Sequence, residues 1–194
     1  MKKNIIIYFP SFERGGVIAN LVNFVNYLTS LNYNIYFISQ NPKMDFFKNK
    51  KKIKLFEIPK YKLPFISSRL ITSVLSIFQI IKIFFITQRS NTLLFSFQSN
   101  IFPIIISKIF FRKVIIRNSE DALEATKYAD EYLLAVLVLV LKSIIYNFAD
   151  GIIATSVKSK NSLERILTTF FFSNVEMLLL DSLISLPTFP RGVF

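Results

Sequence analysis

Gly15 and Gly16 are the only adjacent glycines among the four in this 194-residue chain. They stand between an apolar run, Asn4-Ile-Ile-Ile-Tyr-Phe-Pro-Ser, and a stretch of helical periodicity. A loop that feeds a helix N-terminus offers free backbone N–H groups to an anionic ligand, and the carboxyl ends of strands in an α/β sheet are where ligands bind. The same two residues also read as a plain tight turn, because paired glycines are common loop punctuation. Neither familiar phosphate fingerprint fits. G-x-G-x-x-G needs a third glycine, and a P-loop needs a Gly-Lys followed by Ser or Thr. The chain has no histidine and no cysteine, which excludes Ser-His-Asp and Cys-His catalysis, disulfides and the commonest zinc sites.

The elements around the glycines follow from periodicity. Ile18, Leu21, Val22, Val25 and Leu28 share one helical face, while Asn20, Asn23, Asn26 and Thr29 share the other. Leu31-Asn32-Tyr33-Asn34 breaks that helix, with Asn able to take the left-handed conformation, and Ile35 to Ile38 supplies a second strand. Further strands are predicted at Ile53–Ile58, Thr92–Phe97, Lys113–Arg117 and Gly151–Thr155. Helical patterns lie between most of them, at Leu63–Gln88, Asn100–Phe110 and about Ala122–Phe148. Continuous apolar strands alternating with helices predict an α/β, doubly wound, mainly parallel sheet with helices on both faces.

Composition bounds the partners. With 52% apolar residues the chain has ample material for a core. The net charge of +12 is concentrated at Lys48, Lys50, Lys51, Lys52 and Lys54, a cluster that suits an anionic membrane surface or phosphorylated lipid, each Lys being worth about 1 kcal/mol there. The alternative is a solvated charge run in a Lys-, Ile-, Phe- and Asn-rich composition. Nucleic acid ranks below the membrane, since the basic residues are not interleaved with stacking aromatics on a recognisable module. The apolar stretches Leu63–Gln88 and Tyr132–Phe148 are interrupted by charge before reaching the ~20 residues that a span requires, and so read as core or interfacial helices. A small membrane protein remains an alternative. Pro10, Glu13 and Arg14 cut short any signal-peptide pattern.

Four segments in order resemble the N-terminal, acceptor-side domain of family 4 glycosyltransferases, one Rossmann-like half of the GT-B fold. They are Phe12-Glu-Arg-Gly-Gly-Val, the strand after Asn32, Val114-Ile-Ile-Arg-Asn-Ser-Glu, and Ala149-Asp-Gly-Ile-Ile-Ala-Thr-Ser-Val-Lys-Ser-Lys-Asn-Ser-Leu. The resemblance covers about residues 3–166. It implies transfer of a sugar from a nucleotide-sugar donor to a glycan or lipid-linked acceptor in cell-surface glycan assembly, usually with retention of configuration. The nucleotide sugar is then a co-substrate, with no further cofactor and no metal, and the setting is cytoplasmic, peripheral to the inner face of the membrane. By this analogy Arg14, Gly15 and Gly16 approach the donor diphosphate. Arg117, Asn118, Ser119 and Glu120, at the end of the fifth strand, offer a clamp for an anion and groups for sugar hydroxyls. A strand-to-helix loop capped by Asn118 or Ser119 is the other reading.

The chain departs from the family pattern in several places. Ile18 stands where Glu is frequent, Asn32 where Gly is usual, and the His that many relatives use near the reacting sugar is missing. Residues 1–166 are expected to form the Rossmann-like domain. Residues 167–194 are an atypical tail, with one basic residue, Arg191, after 23 in the first 166, expected to reflect an altered reading frame or premature end rather than a divergent closing segment. The C-terminal donor-binding domain is expected to be absent. The chain alone is then a weak or inactive transferase, or a non-catalytic acceptor- or membrane-binding subunit that works with a separate donor-binding chain.

Overall fold

The computed structural model describes residues 3–12, 16–31, 33–61, 68–119, 121–170 and 177–179. Their contacts fall into two compact units, Met1–Lys113 and Val114–Phe194. In the first, strand Asn4–Ser11 (β1) leads to helix Gly16–Ser30 (α1), strand Asn34–Gln40 (β2), strand Ile53–Glu57 (β3), helix Ser68–Ile86 (α2), strand Thr92–Ser96 (β4) and helix Ile101–Ile109 (α3). All strand pairs of this unit are parallel, in the order β3-β2-β1-β4.

Side-chain alternation shows that β1 is covered on both faces. Ile5, Ile6, Ile7, Tyr8 and Phe9 are all buried, and successive residues of a strand point to opposite sides. Ile7 pairs in register with Phe95 of β4, whose ring lies 4.6 Å from Phe24 of α1. Tyr8, on the other face, reaches Ser76 of α2 at 3.1 Å. Helices α1 and α2 therefore lie on opposite faces, as the continuous apolar strands predict. Helix α1 buries Leu21, Val25 and Leu28 as expected. Thr29, expected on the solvent face, is buried too, because the segment from Met44 to Lys52 folds back over it: Asn49 bonds its hydroxyl and Lys52 its carbonyl.

The second unit takes up at strand Lys113–Asn118 (β5), followed by helices Ala122–Lys127 (α4) and Tyr132–Ile145 (α5), strand Gly151–Ala154 (β6), helix Val157–Phe170 (α6) and strand Met177–Leu179 (β7). Its strands are again parallel, ordered β5-β6-β7. Asp150 clasps the start of the ladder: its carboxylate accepts the Val114 N–H at 2.8 Å, and its own N–H donates to the Val114 carbonyl at 2.9 Å. Ser156 caps α6 by accepting the Ser159 N–H at 3.1 Å.

One boundary expectation needs correction. The single helical stretch Ala122–Phe148 is broken between Lys127 and Tyr132. Asp130 and Glu131 sit where a new helix starts, a position that favours carboxylates, while Asp is a poor interior residue. Helix α6 runs to Phe170. Within the segment read as an atypical tail, Met177–Leu179 pairs with β6. Among the described residues no helix is long and apolar enough to cross a membrane.

Candidate functional site

In the first unit the chain adds β2 and β3 on one side of β1 and then places β4 on the other. The reversal makes the crevice at the carboxyl ends of β1 and β4 a topological switch point, the usual ligand position in an open α/β sheet. Two helix N-termini flank it. Gly16 opens α1; Arg14 and Gly15 lie outside the described residues. On the β4 side, the Phe97 N–H donates to the Tyr8 carbonyl at 3.0 Å and continues the ladder beyond the strand. Ser99 then adopts φ 53°, and the chain enters α3 through Asn100. The Asn100 side chain does not cap α3. It lies 2.7 Å from the buried Ser96 hydroxyl, which fixes the turn from inside.

An aromatic cluster stands just past the carboxyl end of β1, on the β2 side. Phe12, just past β1, stacks on the half-exposed Phe46 at 6.1 Å and meets Phe9, Phe37 and Phe47 edge-on at 5.7 to 6.4 Å. Phe46 and Phe47 are absent from the residues that the sequence singled out. Their only signal was the run Met44-Asp-Phe-Phe in a loop, and their place beside Phe12 depends on how that loop returns.

The five clustered lysines are exposed but partly engaged. Lys50 pairs with Asp45, and Lys52 donates to the Thr29 carbonyl at 3.0 Å in the last turn of α1, where a helix end favours a cation. Lys54 lies over the Tyr36 ring at 5.3 Å. The Lys48 backbone N–H is held by Asn26 at 2.9 Å.

In the second unit, Arg117 and Asn118 end β5, both buried, and Ser119 is exposed; Glu120 lies outside the described residues. Burial holds the Arg117 guanidinium below its ordinary pKa. The Asn118 amide donates to Ser159 of α6 at 3.0 Å and its carbonyl accepts the Thr155 N–H at 3.3 Å, so this residue joins β5 to α6. Neither Asn118 nor Ser119 caps α4. Asp121 does, accepting the Glu124 N–H at 3.1 Å. Its carboxyl is held below the usual range by the Ser162 hydroxyl, with smaller contributions from the Glu124 N–H and from Lys158.

Between α4 and α6 lies an open cleft of about 420 Å³, lined by Asp121, Glu124, Tyr128, Lys158, Asn161 and Arg165 among others. Lys158 bridges Glu124 and, at 3.7 Å, Asp121, and the hydrogen bond it donates to Glu124 raises its pKa. Carboxylates, cations, an amide and an aromatic face can between them bond a polyhydroxylated ligand. Sequence reasoning stopped one residue short of this group, at Glu120, because its members come from two helices far apart in the chain.

Solved structures similar in fold include three glycosyltransferases of plants. UGT2 of Phytolacca americana, complexed with UDP-2fluoro-glucose and pterostilbene, superposes with a TM-score of 0.60 at 12% identity over 91% of this chain and 53% of that one. A UGT transferase from Siraitia grosvenorii in complex with UDP gives 0.56 at 9% identity, covering 90% and 50%. Glycyrrhiza uralensis UGT73P12, complexed with glycyrrhetinic acid 3-O-monoglucuronide, gives 0.55 at 8%, covering 91% and 48%. The chain thus spans about half the length of these neighbours, and its α/β, Rossmann-like fold is that of one half of a GT-B architecture. No protein-family model matches the sequence, and no curated protein matches it.

Proposed function

We propose that this chain is the acceptor-side half of a glycosyltransferase that moves a sugar from a nucleotide-sugar donor to a glycan or lipid-linked acceptor in cell-surface glycan assembly. The observation that carries the reading is the strand reversal beside β1, with helix α1 opening at Gly16 and an aromatic cluster built on Phe12 and Phe46. A helix N-terminus at the crevice suits the diphosphate, and an apolar cluster suits the sugar face or lipid of an acceptor. The GT-B likeness supports the reaction class. The acceptor hydroxyl oxygen bonds to the anomeric carbon while the bond from that carbon to the diphosphate oxygen breaks. The nucleoside diphosphate leaves with the electron pair, and the hydroxyl proton passes to it. With no histidine in the chain, this reading assigns no base to the first unit. A second Rossmann-like unit, in the same or a separate polypeptide, completes the donor site.

Titration of the ¹⁵N-labelled chain with UDP-glucose and with octyl glucoside, followed by amide chemical shifts, tests this placement. The expected result is a set of shifts at Gly16, Val17 and Phe97–Asn100 with UDP-glucose and at Phe12, Phe46 and Phe47 with octyl glucoside. Shifts confined to other surfaces, or none with either probe, would overturn it.

A further inference from the structure

No Asp or Glu occurs between Glu57 and Glu120, a stretch with nine Lys and Arg. It contains α2 and α3, which pack on one another. Helix α2 buries Ser76, Ile80, Ile83 and Phe84. Its opposite face carries Phe78, Lys82, Phe85 and Ile86, continued by Arg89 just beyond the helix end. The steps of four, three, one and three residues keep them on one stripe. Phe78 is 67% exposed and Phe85 77%. The stripe extends onto α3: the Phe85 ring meets Phe110 edge-on at 5.7 Å, and the Arg89 guanidinium lies 4.8 Å from the Phe111 ring centre and bonds the Phe111 carbonyl at 2.8 Å. Exposed Ile109 adjoins it.

Phe111 is the telling residue. Helix α3 ends in a Schellman motif, with the Phe111 N–H on the Lys108 carbonyl at 3.0 Å and the Arg112 N–H on the Ser107 carbonyl at 2.7 Å. The residue between must be left-handed and is usually glycine. Here it is phenylalanine at φ 51°, with its ring 69% exposed. Apart from the Arg89 guanidinium over it, this ring gains little burial for the strain its backbone carries, which points to a use outside the fold. Arg112 holds this arrangement in place: buried, it donates to the Phe84 carbonyl at 2.5 Å and the Thr87 carbonyl at 2.8 Å, tying the end of α2 to the end of α3.

We infer that this face is a membrane anchor: Phe78, Phe85, Ile86, Ile109 and Phe111 enter the acyl boundary of an anionic bilayer while Lys82 and Arg89 meet its headgroups. Protruding aromatic rings rimmed by cations, with no acidic residue on either helix, complement an anionic lipid surface. The anchor differs from the Lys48–Lys54 cluster in supplying insertion as well as charge. Helix α2 ends just before β4 begins, so the anchor lies toward the amino edge of the first unit's sheet. The crevice at the carboxyl edge stays open to soluble ligands. The inference rests on this face alone and does not require the transferase reading.

The chain contains no Trp, so Phe85→Trp places a single reporter in the full chain. With vesicles of phosphatidylglycerol and phosphatidylcholine in equal parts, its emission is expected to shift to the blue and to be quenched by brominated acyl chains. Pure phosphatidylcholine vesicles are expected to bind far less. Phe111→Gly removes both the strain and the ring, so it should raise the thermal midpoint or leave it unchanged while lowering vesicle partitioning by about tenfold, the scale of burying one large apolar side chain. Phe78→Ser with Phe85→Ser should lower it further. The inference is overturned by absence of binding, by binding without a spectral shift, or by binding lost only when Lys48, Lys50, Lys51 and Lys52 are replaced. A dimer in which the indole is already shielded without lipid would also overturn it.

Discussion

Replacing Asp150 by Ala should destabilise the protein far more than its exposed position suggests. Substitutions at exposed residues usually stay within about 0.5 kcal/mol. The Asp150 carboxylate, however, accepts the N–H of Val114, a residue with no exposed surface, at 2.8 Å. Without it, a buried donor is orphaned at the start of β5, which costs about 1–3 kcal/mol. Asp150→Asn keeps an acceptor oxygen in place but loses the charge-assisted part of the bond, so its cost should be smaller, about 0.5–1 kcal/mol. The backbone half of the clasp, from the Asp150 N–H to the Val114 carbonyl, remains in both variants. Urea unfolding followed by far-ultraviolet circular dichroism measures the two costs. Amide exchange gives a local reading, with Val114 exchanging faster in Asp150→Ala and much less so in Asp150→Asn. If Asp150→Ala falls within 0.5 kcal/mol of wild type, or Asn costs as much as Ala, the carboxylate does not hold β5 and the reasoning fails.

Tyr8→Phe should cost about 0.5–1.5 kcal/mol by removing the hydroxyl that meets Ser76 between β1 and α2. Burial raises the Tyr8 pKa, partly offset by hydrogen bonds to Ser76 and Ser73. The stability Tyr8 contributes is therefore complete below the ordinary tyrosine range and lost as pH rises through the raised value. Alkaline unfolding curves should show a limb in wild type that is weaker in Tyr8→Phe. Asp121→Ala should cost about 1 kcal/mol through loss of the α4 cap. Because the Asp121 pKa is depressed, its contribution is present above the ordinary carboxylate range and lost as pH falls through the depressed value, so wild type and variant should converge in acid. Ser156→Ala should likewise cost about 1 kcal/mol at the start of α6, read by the same urea titration.

The parts of the fold legible in the sequence are those set by local periodicity. Leu21, Val25 and Leu28 recur at helical spacing and are buried, and the strands from Ile5, Ile35, Ile53, Leu93, Val114 and Gly151 fall where continuous apolar runs placed them. Boundaries decided by a few polar residues were less legible, as at Asp130 and Glu131, where good helix formers on both sides hide the break. Strand β7 was missed because three residues carry too little pattern of their own and are fixed by pairing with β6. Much the same holds for the candidate sites. Gly16 could be read from its neighbours, but the Phe12–Phe46 stack and the cleft between α4 and α6 assemble residues about 30 positions or more apart, which spacing alone does not bring together. The exposed ring of Phe111 could not be read either, since its significance lies in a backbone angle.

The most direct test of the proposed function is a sugar-transfer assay on the chain captured from its source cells together with whatever chains accompany it. Tritiated nucleotide sugars serve as donors, and total lipid and glycan extracts serve as acceptors. The proposal predicts labelled glycolipid or polysaccharide from at least one donor, diminished when the chain is depleted and when Gly16→Val crowds the start of α1. No labelled product from any donor, or product undiminished by depletion, would contradict it.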